Sequence, residues 1–343
     1  MGAARIVIGL PIPGGMAPAY AYFAAASALR FDRDDGLAFD FIYPGDPGTT
    51  ARALGEGRCQ FAPLNTAVGL MARDRGVPLR AVYAMSRRTH RWFAVLPESP
   101  IASLPDLRGR TIACDFPDLQ PLAEAALAEE GVPRGQVRFV GWRGSGMESR
   151  HLVEPLQTGA VDGVFLIDWN LGDFLAEGLR LRRLPSKALD RIRLSSCLWL
   201  AAPEVEHDRD LVAGVGRALA KTTVFASANP SAVIQLMWER CPGTKPPVED
   251  RERALRRGVH ILQARLETLR LDGVSDARWG AMAREEFVAW QDLLLASGAI
   301  GRRLDPGTYF TATFVDRFND FDPSRVRERA RTFSPAPSSV NLA

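Results

Sequence analysis

The chain has 343 residues, 46% hydrophobic and 24% charged, enough to bury more than one core, so two lobes are expected rather than one unit. Its 43 basic residues nearly balance 40 acidic ones and fall singly or in pairs such as Arg87-Arg88 and Arg182-Arg183, without the basic stripe that nucleic-acid binding requires. Apolar stretches break well short of the roughly 18 residues of a membrane span, and the four cysteines, Cys59, Cys114, Cys197 and Cys241, show neither CxxC nor Cys/His spacing, which argues against a metal site.

Met1-Gly2-Ala3-Ala4-Arg5 leads at once into an apolar strand, leaving no room for a secretory signal. The expectation is a periplasmic or extracytoplasmic protein whose export signal has been removed, or otherwise a cytoplasmic one. Short apolar runs then alternate with helical patterns, the signature of βαβ units and mainly parallel sheets. Strands are expected over residues 5–10, 38–43, 59–64, 79–85, 92–96, 111–115, 137–141 and 161–167, and helices over 17–30 and 119–130, the second closed by Gly131 and Pro133. Cys59, Cys114 and Cys197 sit in strand-like runs as small hydrophobes. From about Asp208 the pattern becomes long helices, with Leu211, Val215 and Leu219 and later Leu255, Ile261, Leu262 and Leu266 at helical spacing. Trp279, Phe287 and Trp290 read as core, and the last third as packing.

An internal echo stands out. Leu54 is followed three residues on by Gly57 and six on by Gln60; Leu156 is followed likewise by Gly159 and Asp162. Each segment reads as a helix ended by a left-handed glycine, a turn with a polar residue, and a buried strand, which puts equivalent strand ends in two similar lobes.

Taken in order, these segments resemble the nitrate, taurine, aliphatic-sulfonate and thiamine-pyrimidine-precursor binding proteins of ABC transporters. The resemblance runs through Met16-Ala17-Pro18-Ala19-Tyr20, Asp35-Gly36-Leu37-Ala38-Phe39-Asp40, Gly57-Arg58-Cys59-Gln60 and Arg75-Gly76-Val77-Pro78. Its most diagnostic part is Ser103-Leu104-Pro105-Asp106-Leu107-Arg108-Gly109-Arg110-Thr111-Ile112, and it closes with Gly159-Ala160-Val161-Asp162-Gly163. It covers roughly residues 5–230 and implies an α/β, two-lobed periplasmic-binding-protein-like (type II) fold with extra C-terminal helices. The first lobe is expected over 1–92, the second over 93–198, and 199–343 returns to the first and adds the helices. The crossings between lobes are expected at Arg91 to Leu96 and Ser195 to Ala201.

In such a fold the ligand lies between the carboxyl ends of the strands. The loops that face it would carry Met16 and Tyr20; Asp46, Thr49 and Thr50; Asn65 and Thr66; and Arg87 in the first lobe. In the second they would carry Asp115 and Phe116, Trp142 and Ser145, and Asp168 and Trp169. Thr49 and Thr50, at a helix start, suit either an anionic ligand group or an ordinary cap, and Asn65 and Thr66 suit a ligand or a cap in the same way. Asp115-Phe116 and Asp168-Trp169 each pair a carboxylate with an aromatic plane, which fits an aromatic or heterocyclic ligand with a donor edge, although Asp168 also suits a helix cap. Gly144-Ser145-Gly146 lacks the lysine of a phosphate loop.

The expected role is therefore capture of a small polar or aromatic ligand for ABC permease subunits by a monomeric protein, with no cofactor or metal. The competing reading is an enzyme on the same fold, resembling a desulfinase, a decarboxylase or a thiamine-pyrimidine synthase. No GxSxG or HExxH is present, and His90, Arg91 and Cys114 with Asp115 form the constellation to test for catalysis. A ligand-sensing domain is a third class.

Overall fold

In a computed structural model, residues 2–12, 14–114, 120–141, 150–201 and 208–334 are described. The first sheet is assembled from β1 (Ala4–Gly9), β2 (Leu37–Ile42), β3 (Ala62–Asn65), β4 (Leu79–Ser86) and β10 (Ser196–Ala201). Strand β1 pairs with β2, and β10 lies between β3 and β4. A parallel bridge from Ile8 to Phe61 joins the two parts. The second sheet, of five strands, has the order β7 (Arg138–Gly141), β6 (Thr111–Cys114), β8 (Gly163–Ile167), β5 (Arg91–Val95) and β9 (Arg182–Leu184). Both lobes thus repeat one plan, with the strand that arrives from the other lobe inserted beside the third.

That insertion changes the expected strand sense. Pairs β1/β2, β6/β7 and β6/β8 are parallel, whereas β10 runs antiparallel to β3 and β4, and β5 antiparallel to β8 and β9. The sheets are mixed because each accepts a crossing strand whose direction is opposite to its neighbours. The chain leaves the first sheet at Ser86 and enters the second at Arg91; it leaves β9 at Leu184 and re-enters the first sheet at Ser196. The passages between sheets fall just before the two strands that the sequence marks for them.

The helices are α1 (Ala21–Ala28), α2 (Pro47–Gly55), α3 (Thr66–Asp74), α4 (Gln120–Glu129), α5 (Val153–Gln157), α6 (Asp168–Ala176) and α7 (Lys187–Arg191). They are followed by α8 (Arg209–Ala228), α9 (Pro230–Arg240), α10 (Arg251–Thr268), α11 (Arg284–Ala296), α12 (Val315–Phe318) and α13 (Pro323–Thr332). The near-continuous apolar run of β8 is explained by burial on both faces. Phe165 and Ile167 join the main core, while Val164 and Leu166 pack with Leu152, Leu156 and Phe174 on the other side. The Ser103 to Ile112 phrase is a clamp on the entry to β6. Asp106 accepts from the N–H groups of Ala102 and Ser103 (3.0 and 2.9 Å), Leu104 and Leu107 are buried, and Gly109 takes φ +74° while donating to Gln136 O at 2.7 Å.

The last third does more than pack. Phe287 and Trp290 are buried as the spacing indicates, yet α10 also crosses α6 at Gly172. A Cβ there would lie 2.5 Å from His260 O and 2.7 Å from Ile261 Cα. Glycine permits this contact, and the contact carries the final turns of α10 to the start of α6.

Candidate functional site

Strands β3 and β8 hold equivalent places in the two sheets and each is followed directly by a helix, with Asn65 closing the first strand and Asp168-Trp169 opening the helix after the second. The loop after β1 brings Tyr20 to the same place. Its ring meets that of Trp169 with centroids 5.8 Å apart. The Arg265 guanidinium, from α10, lies 4.9 Å from the Trp169 centroid and 5.8 Å from that of Tyr20, within cation–π range of both.

Arg265 is held by a buried polar network. Its Nη2 is 3.1 Å from Asp168 Oδ1, and its Nη1 donates to Ser86 Oγ at 3.2 Å. Asp168 accepts further from Thr268 Oγ1 (3.2 Å) and the Trp169 N–H (2.9 Å), and Ser196 Oγ donates to Ser86 Oγ at 2.9 Å. Burial pushes the Asp168 carboxyl up, while Arg265 and these donors pull it back. Burial also raises the Tyr20 hydroxyl to about 12, so it stays protonated and able to donate. Desolvating an Arg–Asp pair is costly unless the remaining donors and acceptors are matched; here residues of both lobes and of α10 match both Nη atoms and the carboxylate, while the Arg265 Nε is buried without a partner among the described residues.

In front of this network is a narrow cavity lined among others by Tyr20, Tyr22, Asn65, Met85, Trp169 and Arg265. The Trp169 indole N–H is buried without a partner among the described residues. A second, smaller cavity is lined by His90, Arg91, Thr89, Ser195, Leu122 and Ile192 among others, and Asn65 lines both.

Residues 17–233 match the family model described as NMT1/THI5 like, more than half of the chain. The chain belongs to the NMT1/THI5-like family. No curated protein matches it in sequence. Its fold is that of the alkanesulfonate-binding protein SsuA from Xanthomonas axonopodis pv. citri, solved bound to MOPS, at 15% identity and a TM-score of 0.64 over 91% of this chain and 99% of that one. The periplasmic aliphatic sulphonate binding protein SsuA from Escherichia coli is similar at 16% identity and 0.65 over 89% and 97%. The desulfurization enzyme DSZB shares the fold at 15% identity and 0.59 over 92% and 98%. At these identities the likeness is one of fold.

Of the candidate residues of this NMT1/THI5-like chain, Tyr20, Asn65 and Trp169 line one cavity and Asp168 lies behind it. The others are placed differently. Asp46 caps α2, accepting from the Thr49 N–H (2.9 Å) and Thr49 Oγ1 (2.7 Å), and Thr50 Oγ1 donates to Asp46 O at 3.0 Å. Thr66 is buried and donates to Leu194 O at 2.8 Å. Arg87 is buried against Glu286 at 3.3 Å, and Met16 belongs to the core. Asp115, Phe116, Trp142 and Ser145 lie outside the described residues.

Sequence reasoning passed over Arg265, Thr268, Tyr22, Ser196 and Met85. For Arg265 a signal existed: it falls on the apolar stripe of Ile261, Leu262 and Leu266, where a charge stays only if it is paired or functional.

Proposed function

We propose that this protein is a solute-binding component of an ABC-type uptake system, whose two lobes close on a small polar or aromatic/heterocyclic ligand. The observation that carries this reading is the meeting of Tyr20, Trp169 and Arg265, from three separate parts of the chain, on one cavity between the lobes. A planar ligand entering there would exchange ring–ring and ring–guanidinium contacts for its own, and Asn65, Ser196 and the Trp169 N–H would fix its orientation. Closure would be favoured only by the ligand's extra affinity for the closed form.

We take residues 1–92 and 199–343 as one lobe and 93–198 as the other, the protein as a monomer, and its place of work as outside the cytoplasmic membrane, where a binding component meets its permease. No helix of the described residues is long and apolar enough to cross a membrane. Burial raises Cys59 to about 11 and lifts Cys197 as well, so neither supplies a thiolate nucleophile near neutral pH.

The test is a thermal-shift screen against thiamine-precursor pyrimidines, riboflavin, aromatic carboxylates, sulfonates and nitrate, with mass analysis of the best ligand after overnight incubation. Saturable stabilisation with the ligand recovered intact is expected. Recovery of a desulfinated or decarboxylated product would make the cleft an active site instead.

A further inference from the structure

We infer that His90 seats an anionic oxygen of the ligand, so that the solute is an aromatic carboxylate or sulfonate whose ring packs against Tyr20 and Trp169. This rests on the binding reading above and narrows it.

His90 stands in the passage between the sheets, 2% exposed, and its Nδ1 is buried without a hydrogen-bond partner among the described residues. A buried polar nitrogen left unpaired is rare enough to need an explanation. The backbone carrying the ring is held: the His90 carbonyl accepts from the Asp168 N–H at 2.9 Å, which places residue 90 beside the network that holds Arg265. It lines the second cavity together with Arg91, Thr89 and Ser195, and that cavity adjoins the aromatic one at Asn65.

The charge around it selects the ligand. Burial, Arg265 and Arg91 together hold the imidazole pKa well below its ordinary range, so the ring is neutral and carries one N–H and one lone pair. In the tautomer protonated at Nδ1 it offers a donor in a region of positive potential. The Arg91 guanidinium that helps to refuse a proton favours a negative oxygen, and Arg265 adds what its pairing with Asp168 leaves. A ligand that is aromatic at one end and anionic at the other matches the two cavities in turn, and the desolvated anion gains a charge-assisted hydrogen bond.

The experiment is calorimetric titration of the whole protein with benzoate, benzenesulfonate and the neutral benzyl alcohol, on the wild type, His90→Phe and His90→Asn. The wild type is expected to bind one of the anions at least about tenfold more tightly than the alcohol. His90→Phe removes that preference, and His90→Asn, which returns an amide donor, restores part of it. In ¹⁵N-labelled wild type the His90 Nδ1 resonance shifts on adding the anion, a readout that holds even if a variant folds poorly. Equal affinity for alcohol and anion, unchanged anion affinity in His90→Phe, or a still Nδ1 resonance would each overturn the assignment. If pyrimidines or nitrate bind and these anions do not, this inference falls alone. If nothing in the wider screen binds, the binding reading falls with it.

Discussion

Gln60 and Asp162 make the same reciprocal pair of bonds in the two lobes. Gln60 Oε1 accepts from the Val7 N–H at 2.7 Å while its own N–H donates to Val7 O at 2.9 Å. Asp162 Oδ2 accepts from the Thr111 N–H at 2.8 Å while its own N–H donates to Thr111 O at 2.8 Å. Each is preceded by a glycine with φ near +74°, Gly57 at +73° and Gly159 at +75°. The echoed sequence is thus a repeated clip that fastens the entry of β3 to β1 in one sheet and the entry of β8 to β6 in the other.

Removing the clip weakens each lobe by a small and separable amount. Gln60→Ala is expected to cost about 0.5–1 kcal/mol and Asp162→Ala, which loses a charged and half-buried acceptor, about 1–2 kcal/mol. Urea unfolding of the two single variants and the double variant would check this, with the double cost equal to the sum within about 0.5 kcal/mol because the sites share no partner.

Asn65 and Thr66 are neighbours with opposite duties. The Asn65 side chain makes no capping hydrogen bond and lines both cavities, so Asn65→Ala should leave stability within about 0.5 kcal/mol and weaken ligand binding about tenfold. Thr66→Val removes the buried bond to Leu194 O and should cost about 1–2 kcal/mol with affinity little changed. Melting curves read beside titrations with the best ligand of the screen separate the two; the reverse assignment would move the site away from β3.

Breaking the Asp168–Arg265 pair from one side leaves a buried charge without its partner. Asp168→Ala and Arg265→Met should each cost about 3–5 kcal/mol, and the double variant much less than their sum. A denaturation-based double-mutant cycle gives the coupling directly. Additive costs would show that the Ser86, Ser196 and Thr268 hydroxyls sustain either charge alone.

Folding holds His90 neutral, whereas the unfolded chain titrates near the ordinary 6.5. Below that value unfolding takes up a proton, so stability falls as pH drops through and below 6.5, by up to about 1.4 kcal/mol per pH unit, and this contribution is constant above it. His90→Asn removes the effect. Unfolding free energies of wild type minus variant, followed from about pH 5 to 7.5, should slope upward to about 6.5 and then level. A flat difference would mean that the ring takes up its proton without opening the fold.

Much of the frame was legible because strand ends are marked by local chemistry. The runs at 38–43, 79–85 and 161–167 became β2, β4 and β8 with shifts of a residue or two, since apolar continuity and glycine stops are local signals. Strand β9 left no such mark: Arg182-Arg183-Leu184 is short and charged and is a strand only because β5 offers it an edge. The site divides along the same line. Tyr20, Asn65 and Trp169 follow strand ends that can be read. Arg265 comes from a helix that composition assigns to packing, and its place depends on Gly172 letting α10 approach α6, a long-range fact that no local window contains. Asp46, Thr49 and Thr50 show the converse, since residues that suit an anion also suit a cap, and here they hydrogen-bond to one another.

The lateness of Arg265 in the chain has a consequence for synthesis. Translation delivers Tyr20, Asn65 and Trp169 long before the arginine that lies over two of those rings, and Asp168 reaches the folding chain with Arg91 near it but without its ion-pair partner. A nascent polypeptide still tethered before Arg265 therefore carries the Asp168 carboxylate without its ion-pair partner and lacks the guanidinium side of the cavity.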